Sequence, residues 1–343
     1  MSNVNSSDFK YILKNLKTSE LKKIKKKKFL LLGSNGFLGR AFVEFFLDLE
    51  KSGLINFKLD CYDILKNSLK STKNIKFYKS NILDKNIKQK YDYIVYLAGM
   101  ASPEIYKKYP IETLEASYEG LKKFLYKAKK DSSKIIFFSS SEIYGNPDKK
   151  NVPTKESYYG YVNSFGPRAC YDEGKRVGET LCYVFNDKFR TNVKIIRPFN
   201  VYGPNMPASD NRVIPKMLKT ALKKGILEVY SNGKQTRSFC YINDAIIGFL
   251  KVILDDSKTI IFNVGNNNQE LTILELAHKI KEILNKQFSK EIKIKKITYP
   301  TYYPSDEPLR RCPDLKLLKK LGYKPQINIK SGLEKFIRNY KIK

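Results

Sequence analysis

The segment KKFLLLGSNGFLGRAFVEFFLDLE constrains the fold more than any other stretch. Phe29–Leu32 is an unbroken apolar run, as a strand buried on both faces requires. Gly33, Gly36 and Gly39 follow, and then Phe37, Leu38, Phe42, Phe45, Phe46 and Leu49 recur at helical spacing. Strand, glycine turn and helix in that order make a cradle for a pyrophosphate. Gly33 permits the tight turn, Gly36 lets the backbone approach the phosphates, and Gly39 lets the helix pack closely on the sheet. The helix amino terminus adds positive potential. An acid closing the second strand would bond the adenosine ribose hydroxyls; Asp63 is the first choice and Asp60 the second. An acid there favours NAD over NADP, whose 2′-phosphate it would repel.

Further strands are expected at FKLDCYDI, IKFYKSNILD, YDYIVYLAGMAS, KIIFFSSSEIYG and VKIIRPFNVYGP, six in all. Helices are expected near residues 111–130 and 169–188. This alternation predicts an α/β fold, a Rossmann-type doubly wound parallel sheet. After Gly203 the pattern becomes irregular, which predicts a smaller mixed α/β substrate-binding domain over the carboxyl ends of the strands. The expected division is a basic arm at 1–27 and a dinucleotide-binding domain at 28–203, to which 236–265 returns. The substrate domain then takes 204–235 and 266–343.

Composition narrows the chemistry. The single histidine, His278, lies in a helical pattern and is expected at a helix surface or half buried. Serine–histidine triads and multi-histidine metal sites are thereby excluded, so acid–base work falls to Tyr, Lys, Glu, Asp or Arg. The five cysteines form no C-x-x-C pair, which points away from disulfides and zinc and toward a reducing cytoplasm. No apolar run reaches membrane-spanning length. The net charge of +31 is spread along the chain without a nucleic-acid motif. It favours an anionic small substrate rather than nucleic acid. The run Lys22–Lys28 reads as a solvated stretch, behind a short amphipathic helix.

Tyr171 and Lys175 stand four residues apart, which puts them on one helix face. Tyr62–Lys66, Tyr118–Lys122, Tyr126–Lys130 and Tyr230–Lys234 have the same spacing, but none follows a serine-tipped central strand. Tyr171 does, about thirty residues after FFSSSEIYG. With this and the glycine spacing, the chain resembles the extended short-chain dehydrogenase/reductase family. In that setting a neighbouring ammonium and a positive nicotinamide ring are expected to lower the phenol's pKa from ~10, making Tyr171 a base for a sugar hydroxyl. Ser140 would hydrogen-bond the same hydroxyl. The implied cofactor contacts are Gly33, Asn35, Gly36, Phe37, Leu38, Gly39, Asp63, Asn81, Ile82, Leu97, Ala98, Tyr171 and Lys175.

The blocks SSSEIYG, GPRACYDEGKR, RPFNVYGP, DNRVI, VYSNGKQTRSF and EPLRRCPDLKLLKKLGYKP are similar to the UDP-glucuronate decarboxylases (UDP-xylose synthases) of that family. The resemblance implies oxidation at carbon 4, loss of carbon dioxide from the β-keto acid, and return of the hydride, with no net redox change. A 4,6-dehydratase or a 4-epimerase on the same scaffold is the alternative. It also implies that Ser141 and Glu142 face the sugar and that Arg311 handles the carboxylate. Asn200, Arg212, Tyr230 and Arg237 would hold the rest of a UDP-sugar. A homodimer through the two long helices is implied as well. Some positions depart from the pattern. Glu104 replaces a proline and is expected to turn away from a substrate carboxylate. Ser117 replaces asparagine, Asn205 arginine and Cys312 lysine.

Overall fold

The computed structural model describes residues 6–207, 209–288, 291–299 and 308–340. Much of the Pro-rich segment TYPTYYPSDEPLRRCPD lies outside the described residues.

Seven parallel strands form the central sheet: β1 Lys28–Leu32, β2 Lys58–Asp63, β3 Ile75–Lys79, β4 Tyr93–Tyr96, β5 Lys134–Phe138, β6 Val193–Pro198 and β7 Ile261–Val264. Their spatial order is β7-β6-β5-β4-β1-β2-β3. The chain reverses direction of growth between β1 and β4, which opens a crevice at their carboxyl ends. The pleat explains the apolar runs. Phe29 and Leu31 enter the core on one face, with Phe42, Val95 and Phe138. Leu30 and Leu32 enter the core on the other, with Ile94, Tyr96, Leu125 and Phe137.

β7 was not among the six expected strands. TIIFNVG is short and sits in the irregular part of the sequence, yet its backbone completes β6 in register, Ile261 opposite Ile195. The helix expected near 111–130 is interrupted. Pro110–Glu115 and Leu121–Asp131 are α-helical, and Ala116–Gly120 between them is a π-helical turn.

The amino-terminal stretch is anchored at a few side chains, while Lys22, Lys25, Lys26 and Lys28 are exposed, as expected of a solvated run. In the helix Ser6–Lys14, the Tyr11 hydroxyl donates to Asp244 Oδ1 at 2.5 Å, and Asp8 pairs with Lys335 at 2.7 Å. Within the lysine run Ile24 is fully buried, while Lys23 pairs with Asp256 and Lys27 with Asp92. A hydrophobic side chain every few residues is enough to hold such a run on the core. His278 is exposed, as expected.

Beyond β6 the chain also forms smaller sheets. Ile226–Tyr230 pairs with Lys293–Ile297. Thr236–Ser238 lies between Glu270–Thr272 and Arg310–Arg311, with Arg311 directly opposite Arg237. That small sheet brings together two arginines that are 74 positions apart in sequence.

Candidate active site

The glycine turn leaves β1 at Gly33, whose φ of +89° suits only glycine, and Gly33 N donates to Tyr62 O at 2.9 Å. Gly36 precedes the helix Phe37–Lys51. A methyl group at Gly39 would lie 2.8 Å from Ser34 Cα and closer still to the Gly33 carbonyl oxygen. At Gly36 it would meet only that carbonyl oxygen, at 3.5 Å. The turn is therefore tight on its sheet side and open at Gly36. Asp63 ends β2 beside it, and its carboxylate accepts the amides of Asn35 at 2.8 Å and Leu65 at 2.9 Å. Asp60 instead accepts the Tyr91 hydroxyl at 2.6 Å in the interior. Asn81 and Ile82 follow β3, Asn81 turning back to accept the Leu83 amide. Ala98 lies against Gly33, and Leu97 continues β4. An open helix amino terminus, a glycine cradle and an acid at the second strand fit a dinucleotide.

A cavity of about 860 Å³ opens from this crevice toward the small sheet. Phe37, Leu38, Leu97, Ser140, Ser141, Glu142, Tyr171, Lys175, Asn200, Arg212, Tyr230, Arg237 and Arg311 all line it. Gly33, Asn35, Gly36, Gly39, Asp63, Asn81, Ile82 and Ala98 lie outside its lining, around the turn and the ends of β2, β3 and β4.

Tyr171 and Lys175 sit in the first turns of the helix Ala169–Phe189. The Tyr171 ring stacks on Tyr106, 5.3 Å between centroids and 11° from parallel. Lys175 Nζ donates to the carbonyl of Phe138 at the tip of β5, at 2.8 Å, and lies 5.8 Å from the Tyr171 ring centroid. The expected lowering of the phenol pKa does not hold for the protein alone. Burial pushes Tyr171 up to about 12, against a downward pull from its hydrogen bond with Ser140. Burial also brings Lys175 down to about 8. Both shifts have one cause: a dry pocket disfavours whichever form is charged.

Ser140 caps the tight turn Ser141–Tyr144, its Oγ accepting the Glu142 amide at 3.2 Å. This aims Glu142 at Arg311, whose two Nη atoms hold its two oxygens at 2.6 and 2.8 Å. Arg168 Nη2 also bonds Glu142, and Arg168 Nε bonds Asp172 Oδ2 at 3.2 Å. Burial first, then Glu142, raises Asp172 to about 7. Beneath the turn, Arg197 grips Glu179 at 2.9 and 2.5 Å and donates to the Tyr144 hydroxyl at 2.6 Å. The turn is thereby tied to the helix that carries Tyr171.

Arg212 pairs with Asp210 at 2.5 Å and stands 5.7 Å over the Phe37 ring. Arg237 Nη1 donates to Thr236 O at 2.9 Å. Asn200 Nδ2 donates to Ser238 O at 3.2 Å. Glu104 lines the cavity, where Asn211 donates to it. Asn205 donates to Glu44 at 2.8 Å, and Ser117 and Cys312 are buried.

Sequence reasoning passed over Arg168, Asp172, Lys107 and Lys216, although three of them line the cavity and Asp172 adjoins it. The four-residue step from Arg168 to Asp172, astride Tyr171, is the one signal that could have found the first two.

Residues 29–265 match the family model described as Epimerase: NAD dependent epimerase/dehydratase family. The chain is similar to UDP-glucuronic acid decarboxylase 5 of Arabidopsis thaliana, 34% identical over 318 residues, covering 92% of this chain and 89% of that protein. In fold it is similar to UDP-N-acetylglucosamine 4-epimerase from Methanobrevibacter ruminantium M1, solved with UDP-N-acetylmuramic acid. The TM-score is 0.79 and the identity 23%, covering 92% of this chain and 98% of that one. It is likewise similar to UDP-glucuronic acid 4-epimerase from Bacillus cereus, solved with UDP-glucuronic acid and NAD. There the TM-score is 0.74 and the identity 23%, covering 91% of this chain and 98% of that one. With its glycine turn, its serine-tipped fifth strand and its Tyr171–Lys175 helix, the chain belongs to the NAD dependent epimerase/dehydratase family, the extended short-chain dehydrogenase/reductases.

Proposed function

We propose that this protein decarboxylates UDP-glucuronate to UDP-xylose through a 4-keto intermediate with no net redox change. One observation carries the reading: Arg311 holds the Glu142 carboxylate with both Nη atoms, in the cavity that Tyr171 and Lys175 also line. A guanidinium fork that already grips a carboxylate is shaped to take a uronate's carboxylate. The relatives named UDP-glucuronic acid decarboxylase support the same choice, at 33–37% identity.

The cofactor is NAD, which when bound supplies reversible two-electron oxidation at carbon 4 and a positive ring that favours the phenolate. Tyr171 takes the proton of the 4-hydroxyl, with Ser140 hydrogen-bonded to the same oxygen and Lys175 beside them. Ser141 and Glu142 face carbons 4 and 5, and Arg311 orients the carboxylate. The new carbonyl accepts the electron pair of the breaking carbon–carbon bond. Arg212 and Arg237 hold the uracil-side and diphosphate groups of the nucleotide, and Asn200 and Tyr230 lie by the substrate. Gly33, Asn35, Gly36, Phe37, Leu38, Gly39, Asp63, Asn81, Ile82, Leu97 and Ala98 hold the dinucleotide.

Residues 28–203 with 236–265 form the dinucleotide domain in this reading, 204–235 with 266–343 the sugar domain, and 1–27 the arm. The exposed apolar side chains Ile111, Leu114 and Tyr118 lie toward one long helix, and Val177, Tyr183 and Val184 on the other. They suit a homodimer through those helices. Five free cysteines suit a reducing, cytoplasmic setting.

The test is a product assay with purified protein, NAD and, in parallel, UDP-glucuronate, UDP-glucose and UDP-N-acetylglucosamine. Carbon dioxide and a UDP-pentose are expected from the first alone. A sugar that keeps its mass refutes the reading in favour of a 4-epimerase, and loss of water points to a 4,6-dehydratase.

A further inference from the structure

Four charged side chains meet under the Ser141–Tyr144 turn. Arg311 is fully engaged through both Nη atoms by Glu142, and Arg168 bridges Glu142 to Asp172. None of the four is more than 16% exposed. Two cations balance two carboxylates, so the cluster is neutral as it stands. Asp172 Oδ1 is buried and has no hydrogen-bond partner among the described residues, and the same holds for Arg311 Nε.

A uronate carboxylate arriving at Arg311 displaces Glu142 onto Arg168 and brings a fifth charge into the cluster. An uncompensated charge in so dry a place is costly, and a buried group relieves it by changing its protonation. We propose that Asp172 takes up one proton when a uronate substrate binds, and that this is the proton the decarboxylation consumes. The inference rests on the reading given under Proposed function.

Asp172 suits this role better than its neighbours. Glu142 acts on it from the turn, Arg168 from the residue before its own helix, and Arg311 from the strand Arg310–Arg311. Tyr171 and Cys170, next to it in the chain, both feel its charge. Its unpartnered oxygen is where a proton would sit, and its affinity for one already lies near neutrality. A second cavity, of about 470 Å³, is lined by Asp172, Arg168, Glu142 and Asn163 but not by Tyr171. Glu142 and Arg168 line both cavities and form the wall between them.

The balance closes. In the 4-keto uronate the bond from carbon 5 to the carboxylate breaks, and its electron pair passes into the carbonyl as an enolate. Carbon dioxide leaves, carbon 5 gains one proton, and Asp172 gives up the one it took up on binding. Carboxylate plus proton become carbon dioxide plus a C–H bond, and the cluster regains its starting charge.

The test is titration calorimetry on Tyr171→Phe protein holding NAD, in which turnover is slowed about 10²–10⁴-fold, in buffers of differing ionisation enthalpy at pH 8. UDP-glucuronate is expected to carry roughly one proton into each site, and UDP-glucose none. Above pH 7 its affinity should fall about tenfold per pH unit. Adding Asp172→Asn should abolish the uptake, flatten that pH dependence and make binding at pH 8 tighter than in the parent. A merely structural role for Asp172 would weaken it instead. Arg168→Lys keeps the charge count and should keep the uptake, which provides a second measurement should Asp172→Asn fold poorly. Binding with no proton uptake, or with uptake unchanged by Asp172→Asn, overturns this inference alone. Failure of UDP-glucuronate to bind overturns the decarboxylase reading, and the inference with it.

Discussion

Gly36 and Gly39 lie three residues apart, yet the structure assigns them opposite sensitivities. A methyl at Gly39 would sit 2.8 and 2.9 Å from Ser34 backbone atoms, against an ordinary contact near 3.4 Å or more. Backbone cannot swing aside as a side chain does, so the helix Phe37–Lys51 must lift off the turn. Overpacking of this kind costs about 1–3 kcal/mol. With an unfolding entropy of about 2.1 cal/mol/K per residue, 343 residues give roughly 0.7 kcal/mol/K, so Gly39→Ala should lower Tm by about 1.5–4 °C. At Gly36, φ is −64° and ψ 164°, which alanine adopts freely, and the nearest protein atom is 3.5 Å away. Gly36→Ala should therefore melt within about 1 °C of the parent. Its methyl points into the open face of the turn, where the pyrophosphate belongs, and should weaken NAD binding at least tenfold, about 1.4 kcal/mol. Melting by scanning fluorimetry and titration with NAD read the two effects separately. If Gly36→Ala binds NAD like the parent, the cradle does not hold the pyrophosphate. If Gly39→Ala melts like the parent, the close packing of helix on turn is not what this position is for.

Three more outcomes are expected. Tyr171→Phe should retain NAD binding and lose about 10²–10⁴ in kcat, as removal of a proton-transfer group does; a loss under tenfold would remove Tyr171 from the chemistry. Tyr11→Phe takes away the hydroxyl that donates to the fully buried Asp244 and should cost about 1–3 kcal/mol without altering kcat, read by urea unfolding. Asp172 is raised from its ordinary carboxylate range to about 7, so the folded protein binds its proton more tightly than the unfolded chain does. That contribution is full below about pH 4 and is lost as pH rises through about 7. The stability of Asp172→Asn relative to the parent should therefore rise between pH 5 and pH 8, and a difference independent of pH would contradict the placement of Asp172.

What could be read in the sequence was what local physics dictates. A strand with both faces covered has to be apolar throughout, so FLLL announced the sheet. A backbone at φ +89° needs glycine, so Gly33 announced the turn. A four-residue step on a helix announced that Tyr171 and Lys175 share a face, and the serine tip of β5 separated this pair from the four others with equal spacing. β7 escaped because four residues of strand, without a periodic neighbour, look like any loop with two isoleucines.

The rest was hidden because it depends on which surfaces end up dry. Arg168 and Asp172 have the spacing of an exposed helical ion pair, a type that contributes little. They become a buried cluster because the Ser141–Tyr144 turn and the strand Arg310–Arg311 close over them. No spacing relates Arg311 to Glu142, 169 positions away. Tyr171 shows the same limit in its sign. In sequence, a lysine four residues away and the nicotinamide ring both read as cations that favour the phenolate. In the folded chain that lysine is spent on the Phe138 carbonyl, and burial moves both groups toward their neutral forms. The protein alone therefore stores a phenol, not a phenolate. In the proposed mechanism the positive charge that favours the phenolate therefore comes from outside the chain, with the cofactor.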